Sequence, residues 1–143
     1  MTSPSFATNT ITLRAANAAI EAGLQKAQEL GLAVTIAVTD PNGVLKAYQR
    51  MEGASVLSTD IAVRKARTAA TSGFNTGALF DFIKTDPALL HGMTNVPDYA
   101  VFGGGEQISH PELGVIGAVG VSGAHYSEDE QIALAAVESV LTA

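Results

Sequence analysis

The chain has 143 residues, of which 47 % are hydrophobic and 15 % charged, with no cysteine, only 8 Lys and Arg and a formal net charge of −6. That length buries a sizeable core in one domain without metal or disulfide support, and the missing cysteines remove disulfides, thiolate metal sites and cysteine nucleophiles. The acidic balance argues against a nucleic-acid partner, and no stretch reads as a signal peptide or membrane span, so a cytoplasmic protein is expected.

Residues 1–10 read as a flexible N-terminal arm ahead of a single domain over residues 11–143. Thr10 or Thr12 can cap a first helix whose apolar stripe is Leu13, Ala16, Ile20, Leu24, Ala27 and Leu30, with Gly31 as its stop. A strand at Val34–Thr39, the turn Asp40-Pro41-Asn42-Gly43 and a return strand at Val44–Arg50 make a hairpin, closed by Met51-Glu52-Gly53-Ala54. Ser58 or Thr59 opens a second helix running to about Ser72. Its Ala62, Ala66, Ala69 and Ala70 form a small-residue face, while Arg64, Lys65 and Arg67 gather three basic side chains and Asp60 can pair with Arg64 at i,i+4. A short helix follows at Gly77–Lys84, and Asp86-Pro87 starts one further turn through His91. Strands are then expected at Tyr99–Phe102, around Gln107–Ile108, and at Val115–Ser122. Ser127-Glu128-Asp129-Glu130 reads as the capping box of a last helix. The order α-β-β-α-α-β-β-β-α, with hairpin connections, predicts an α+β fold: a five-stranded antiparallel sheet packed with helices.

The stretch Val115–Ser122 is apolar on both faces of a two-residue period and so reads as a central strand covered on both sides. Val115, Gly117, Val119 and Val121 share one face; Ile116, Ala118, Gly120 and Ser122 share the other. Glycine within a strand marks close approach by another backbone or by a ligand. Gly103, Gly104 and Gly105 permit positive φ and can present amide groups to a ligand, or can simply turn the chain sharply.

No nucleotide-binding loop or serine-nucleophile elbow is present. The three histidines, His91, His110 and His125, lack metal-ligand spacing, although one imidazole is enough to hold a haem iron. Met51 and Met93 are weaker ligand candidates, and Lys65 on its alanine-rich helix could have a lowered pKa if buried. The low charge fraction leaves much uncharged surface, which predicts a homo-oligomer.

Several ordered segments carry a resemblance. VTIAVTDPNGVLKAYQRMEGA is similar to a pattern of strand, D-x-x-G, strand and R-M-[DE]-G-A. STDIAVRKARTAATSGFNTGAL resembles S-x-x-I-A-x-x-K-A-x-T-A-A, and FGGGEQI with GVIGAVGVSG and EDEQIALAA resembles the closing blocks of the same pattern. The chain resembles the GlcG/HbpS family, which also includes the C-terminal domain of PduO proteins, over about residues 11–142. The resemblance implies a bacterial protein with a profilin-like sandwich, assembly into oligomers that are often octamers, and binding of haem or a related tetrapyrrole. Two departures stand out. Ala124 replaces the second glycine of G-V-S-G-G with His125-Tyr126 after it, and His91 stands where relatives often carry an aromatic residue.

Two functions follow as expectations. The first is a binder of haem or a related tetrapyrrole, with His91 and His125 as axial-ligand candidates and Arg50, Met51, Arg64, Gly103, Gly104, Gly105 and Ser122 about the ligand. The second is a cofactor-independent enzyme of proton-transfer, isomerase or lyase type, working at a subunit interface with Lys65 and His125 as catalytic groups.

Overall fold

Four strands form one antiparallel sheet in the order β2-β1-β4-β3, in the computed structural model, which describes residues 2–143. The elements are α1 (Leu13–Glu29), β1 (Thr35–Thr39), β2 (Leu45–Arg50), α2 (Val56–Ser72), α3 (Thr76–Ile83), α4 (Pro87–Met93), β3 (Gly105–His110), β4 (Gly114–Ser122) and α5 (Tyr126–Leu141). The class is α+β as expected, with four strands in place of five.

The expected strand at residues 99–102 does not form, because its backbone is engaged elsewhere. Asp98 adopts φ 64°, Tyr99 N–H donates to Val96 O at 3.2 Å, and Ala100 N–H donates to Thr68 Oγ1 of α2 at 2.9 Å. Val101 then packs with Leu79 and Ile83 under α3. The short piece near Gln107 is instead a full six-residue edge strand.

Thr12, one of the two expected caps, starts α1 by accepting Ala15 N–H at 3.1 Å. Other helix starts differ. The second helix begins earlier than expected because Ser55 accepts Ser58 N–H at 3.2 Å, leaving Val56 and Leu57 exposed (76 % and 70 %) on the first turn. The last helix is capped by His125, not Ser127: its Nδ1 accepts Ser127 N–H at 3.2 Å, and Glu128 accepts His125 N–H at 3.4 Å to close the box. Asp86 caps α4 with Pro87 in its first turn, so the expected turn is a separate helix.

Helix α2 covers one face of the sheet, and α1 with α5 cover the other. The second layer holds the main core, where Ile36, Val38, Val119 and Val121 meet Ile20, Ala27, Ile132 and Ala136. A bulge opposite Ile108/Ser109 makes Ile116 the extra residue of β4 and puts it in this same core, on the face of Val119 rather than of Ala118. The Ile116 carbonyl accepts Ile11 N–H at 2.9 Å, tying the start of the domain to the bulge. Residues 2–10 are exposed, without helix or strand. None of the described helices is long and apolar enough to cross a membrane.

On the α2 face, Ala37, Ala62 and Ala66 pack together around Gly120. A methyl group at Gly120 would run into Ala62 O and would lie 2.5 Å from Ala66 N, both backbone atoms that cannot move aside. This is the close approach that the glycine strand announces. We expect Gly120→Ala to lose about 3 kcal/mol in urea unfolding, the upper range for overpacking. Gly92→Ala in α4, with nothing within 4 Å of the added methyl, should instead be neutral or stabilising by up to about 1 kcal/mol. Equal stability changes in the two variants would refute the close-packing account.

Candidate functional site

Where β3 leaves β4, Gly104 stands opposite Val121, and a regular antiparallel pair there would exchange two hydrogen bonds. Val121 N–H does donate to Gly104 O at 2.9 Å. The Val121 carbonyl instead accepts from Lys65 Nζ at 2.9 Å. The same ammonium donates to Asp129 Oδ2 at 3.0 Å and lies 4.6 Å from the centroid of the Phe102 ring. Asp129 Oδ1 accepts Ala124 N–H at 3.0 Å. One buried lysine therefore joins α2, the end of the sheet, the glycine turn and the first turn of α5. Lys65 is 0 % and Asp129 1 % exposed. Burial lowers the pKa of the Lys65 ammonium, and the Asp129 charge and hydrogen bond oppose that shift. Burial raises the pKa of the Asp129 carboxyl, opposed first by the Lys65 charge.

The glycines make room for this arrangement. Gly104 has φ +122°, and a methyl there would lie 2.7 Å from Val121 O and 2.8 Å from Lys65 Nζ. Gly105 lies against the α2 backbone at Lys65, and its amide donates to Thr76 Oγ1 at 2.8 Å. That amide is committed to the fold.

Beside the hub opens a cleft of about 700 Å³ between α3, the glycine turn and α5. Its apolar walls are Phe80, Phe102, Tyr126 and Leu134, and its polar lining includes Asp81, Lys84, Glu106 and Glu130. Phe102 belongs both to this wall and to the Lys65 ammonium. Glu106 is 4 % exposed. Burial first, and the Glu130 charge second, push its pKa up to about 7, with no hydrogen bond or cation to offset them. Lys84 lies 3.1 Å from Asp81. No group of three or more metal-ligating side chains converges among the described residues.

Gly103, among the residues singled out in the sequence, lines the cleft, with Gly104 and Gly105 directly behind it. Lys65 is the hub and not part of the cleft lining. Arg50 and Ser122 flank Thr35 in one row across the sheet. Arg50 donates to Ala54 O at 3.3 Å, and the Met51 sulfur accepts Val34 N–H at 3.4 Å, so both fasten the hairpin exit. Arg64 pairs with Asp60 at 2.7 Å and reaches Asp98 at 3.6 Å on the outer side of α2. His91 is exposed on α4. The His125 ring lies 4.1 Å from the Tyr126 ring and so adjoins the cleft wall. Sequence reasoning missed Glu106, noted Tyr126 only as a departure from the family pattern, and read Asp129 and Glu130 only as parts of a cap. The available signal was the two-residue spacing of Glu106 and Ile108, which puts a carboxylate on the core-facing side of a strand.

The model for haem-degrading HbpS-like proteins matches residues 11–138. An uncharacterised 15.0 kDa protein from the dhaT–dhaS intergenic region of Citrobacter freundii is 37 % identical over 131 residues, 90 % of this chain and 91 % of that protein. The crystal structure of Klebsiella pneumoniae ORFY aligns with a TM-score of 0.89 at 34 % identity, covering 98 % of this chain and 97 % of that one. A PduO C-terminal domain in complex with haem aligns with a TM-score of 0.81 at 26 % identity, covering 91 % and 94 %.

The hub makes a direct stability claim. Lys65→Met removes the partner of a buried carboxylate and should cost about 3–5 kcal/mol in urea unfolding at neutral pH. Adding Asp129→Asn removes the unpaired charge while keeping an oxygen for Ala124 N–H, and should recover at least about half of that loss. A double variant as unstable as the single one would show that the charge pair is not what the lysine supports.

Proposed function

The chain belongs to the HbpS-like family, and we propose on that premise that it is an oligomeric small-molecule-binding protein whose cleft takes haem or a related tetrapyrrole. The observation carrying this reading is the cleft itself, in a chain whose fold matches a domain crystallised with haem over 91 % of its length. The residues present fit a flat macrocycle. Phe80, Phe102, Tyr126 and Leu134 offer apolar walls, and Lys84 offers a cation for a ring carboxylate. Tyr126 on the wall and His125 beside it are side chains able to ligate iron, with His91 on α4 the further candidate. Haem bound there would supply an iron centre for ligand binding or redox chemistry. The chain's own part is to enclose the ring and exclude water.

Self-association is supported by exposed apolar side chains at the starts of β2 and α2, among them Val44, Leu45, Val56 and Leu57, and by the open edges of β2 and β3. Closed symmetric assemblies built from dimers cover such surfaces, octamers included, and we take the ligand pocket to be lined by more than one subunit.

Titration of the purified protein with haem tests the ligand. A Soret shift that saturates at a fixed stoichiometry is expected, weakened in Tyr126→Phe or His125→Ala according to which side chain reaches the iron. No shift at micromolar haem, or one that never saturates, would overturn the reading. Light scattering tests the assembly separately: a mass above 14.7 kDa, stable across a dilution series, is expected, and a clean monomer at every concentration refutes it.

A further inference from the structure

Glu106 is used by neither the hub nor the core. It stands on β3 opposite Val119 of β4, on the sheet face covered by α5, and it lines the cleft while 4 % exposed. Buried carboxylates are paired as a rule, and no hydrogen bond or cation offsets the burial of this one. The groups around it come from four elements. Helix α5 contributes Glu130 and Tyr126, and α3 contributes Asp81 and Lys84. Phe102 enters from the segment before β3, and behind it lies Lys65 of α2, held by Asp129. Lys84 is the one cation among the lining residues and lies beside Asp81. The apolar walls suit a flat molecule, while the three carboxyl groups disfavour a small anion.

We propose that the cleft is a proton-transfer site for uncharged, flat conjugated molecules, with Glu106 as the catalytic group and Glu130 as the charge that tunes it. For a conjugated carbonyl compound, the Glu106 carboxylate takes a proton from the carbon just beyond the C=C bond. The C–H electron pair moves into a new C=C bond, the old C=C pair shifts to the bond beside the carbonyl carbon, and the carbonyl pair moves onto oxygen. The carboxylic acid then returns the proton to the carbon beside the carbonyl, and the carbonyl re-forms. One C–H bond breaks and one forms, so no oxidant, reductant or second substrate is required. A carboxyl that titrates near neutrality suits both halves of this exchange. The activity does not depend on a bound tetrapyrrole.

The test uses the full chain without added haem and the probe nitrobenzisoxazole, an uncharged aromatic. A base removes its ring C–H proton, the electron pair forms the nitrile as the N–O bond breaks, and a coloured cyanonitrophenolate leaves. Saturable turnover is expected, rising with pH through about 7 because the ionised form of Glu106 is the base. Glu106→Gln should lower the rate by about 100-fold. Glu130→Gln should keep turnover but move the inflection to lower pH, since a like charge no longer opposes ionisation of Glu106. Wild-type turnover no faster than that of folded Glu106→Gln protein would overturn the proposal. Should that variant fail to fold, an inflection unmoved by Glu130→Gln would do the same. Haem binding has its own spectroscopic readout, so failure of either reading is seen separately.

Discussion

The architecture depends on an ammonium group placed where a backbone amide belongs. Lys65 completes the hydrogen-bond pattern of β4 just where β3 turns away, and Asp129 balances its charge from the opposite layer. A neutral donor could satisfy the Val121 carbonyl but could not hold the carboxylate of α5. A surface ion pair could hold neither, because water would compete for both partners. A buried ion pair stabilises little over a well-packed apolar substitute, and its attested value lies in fixing one arrangement among several. Here the arrangement fixed is the angle at which the glycine turn presents Phe102 and Gly103 to the cleft.

The cleft inherits its character from that hub. Lys65 and Asp129 neutralise each other, so neither lends net charge to the neighbouring carboxyl groups. Glu106 and Glu130 are left sharing the cleft lining, with Lys84 beside Asp81 in the same lining. Aromatic rings and Leu134 line the space that remains. A pocket of this kind discriminates first by shape and only then by charge, which suits both the proposed macrocycle and the proposed smaller conjugated molecule.

The sequence was most legible where a residue type has few physical uses. The Asp40–Gly43 turn, the alanine face of α2 and the covered central strand were readable because a proline, a run of small side chains or an unbroken apolar run admits few structures. Residues 99–102 misled because Tyr-Ala-Val-Phe has strand composition, and only tertiary partners, above all Thr68, show that its amides are spent elsewhere. His125 escaped notice as a cap because serine at position 127 is the commoner choice, and the two compete within one turn. The site was less legible than the fold. Asp129 looked like ordinary first-turn chemistry, and its partner is 64 positions away along the chain. Glu106 carried a hint in its alternation with Ile108, yet burial of a carboxylate is a property of the assembled layers and not of any local window.

The alanine and glycine contact between α2 and the sheet also has a mechanical meaning. Side chains without rotamers surrender no rotamer entropy on burial, and they offer no soft degrees of freedom to absorb a misfit. Strain at Ala62, Ala66 or Gly120 can therefore relax only by shifting the helix as a rod. Lys65 rides on that rod with its ammonium against Phe102, so the helix behaves as a lever whose far end is the wall of the cleft.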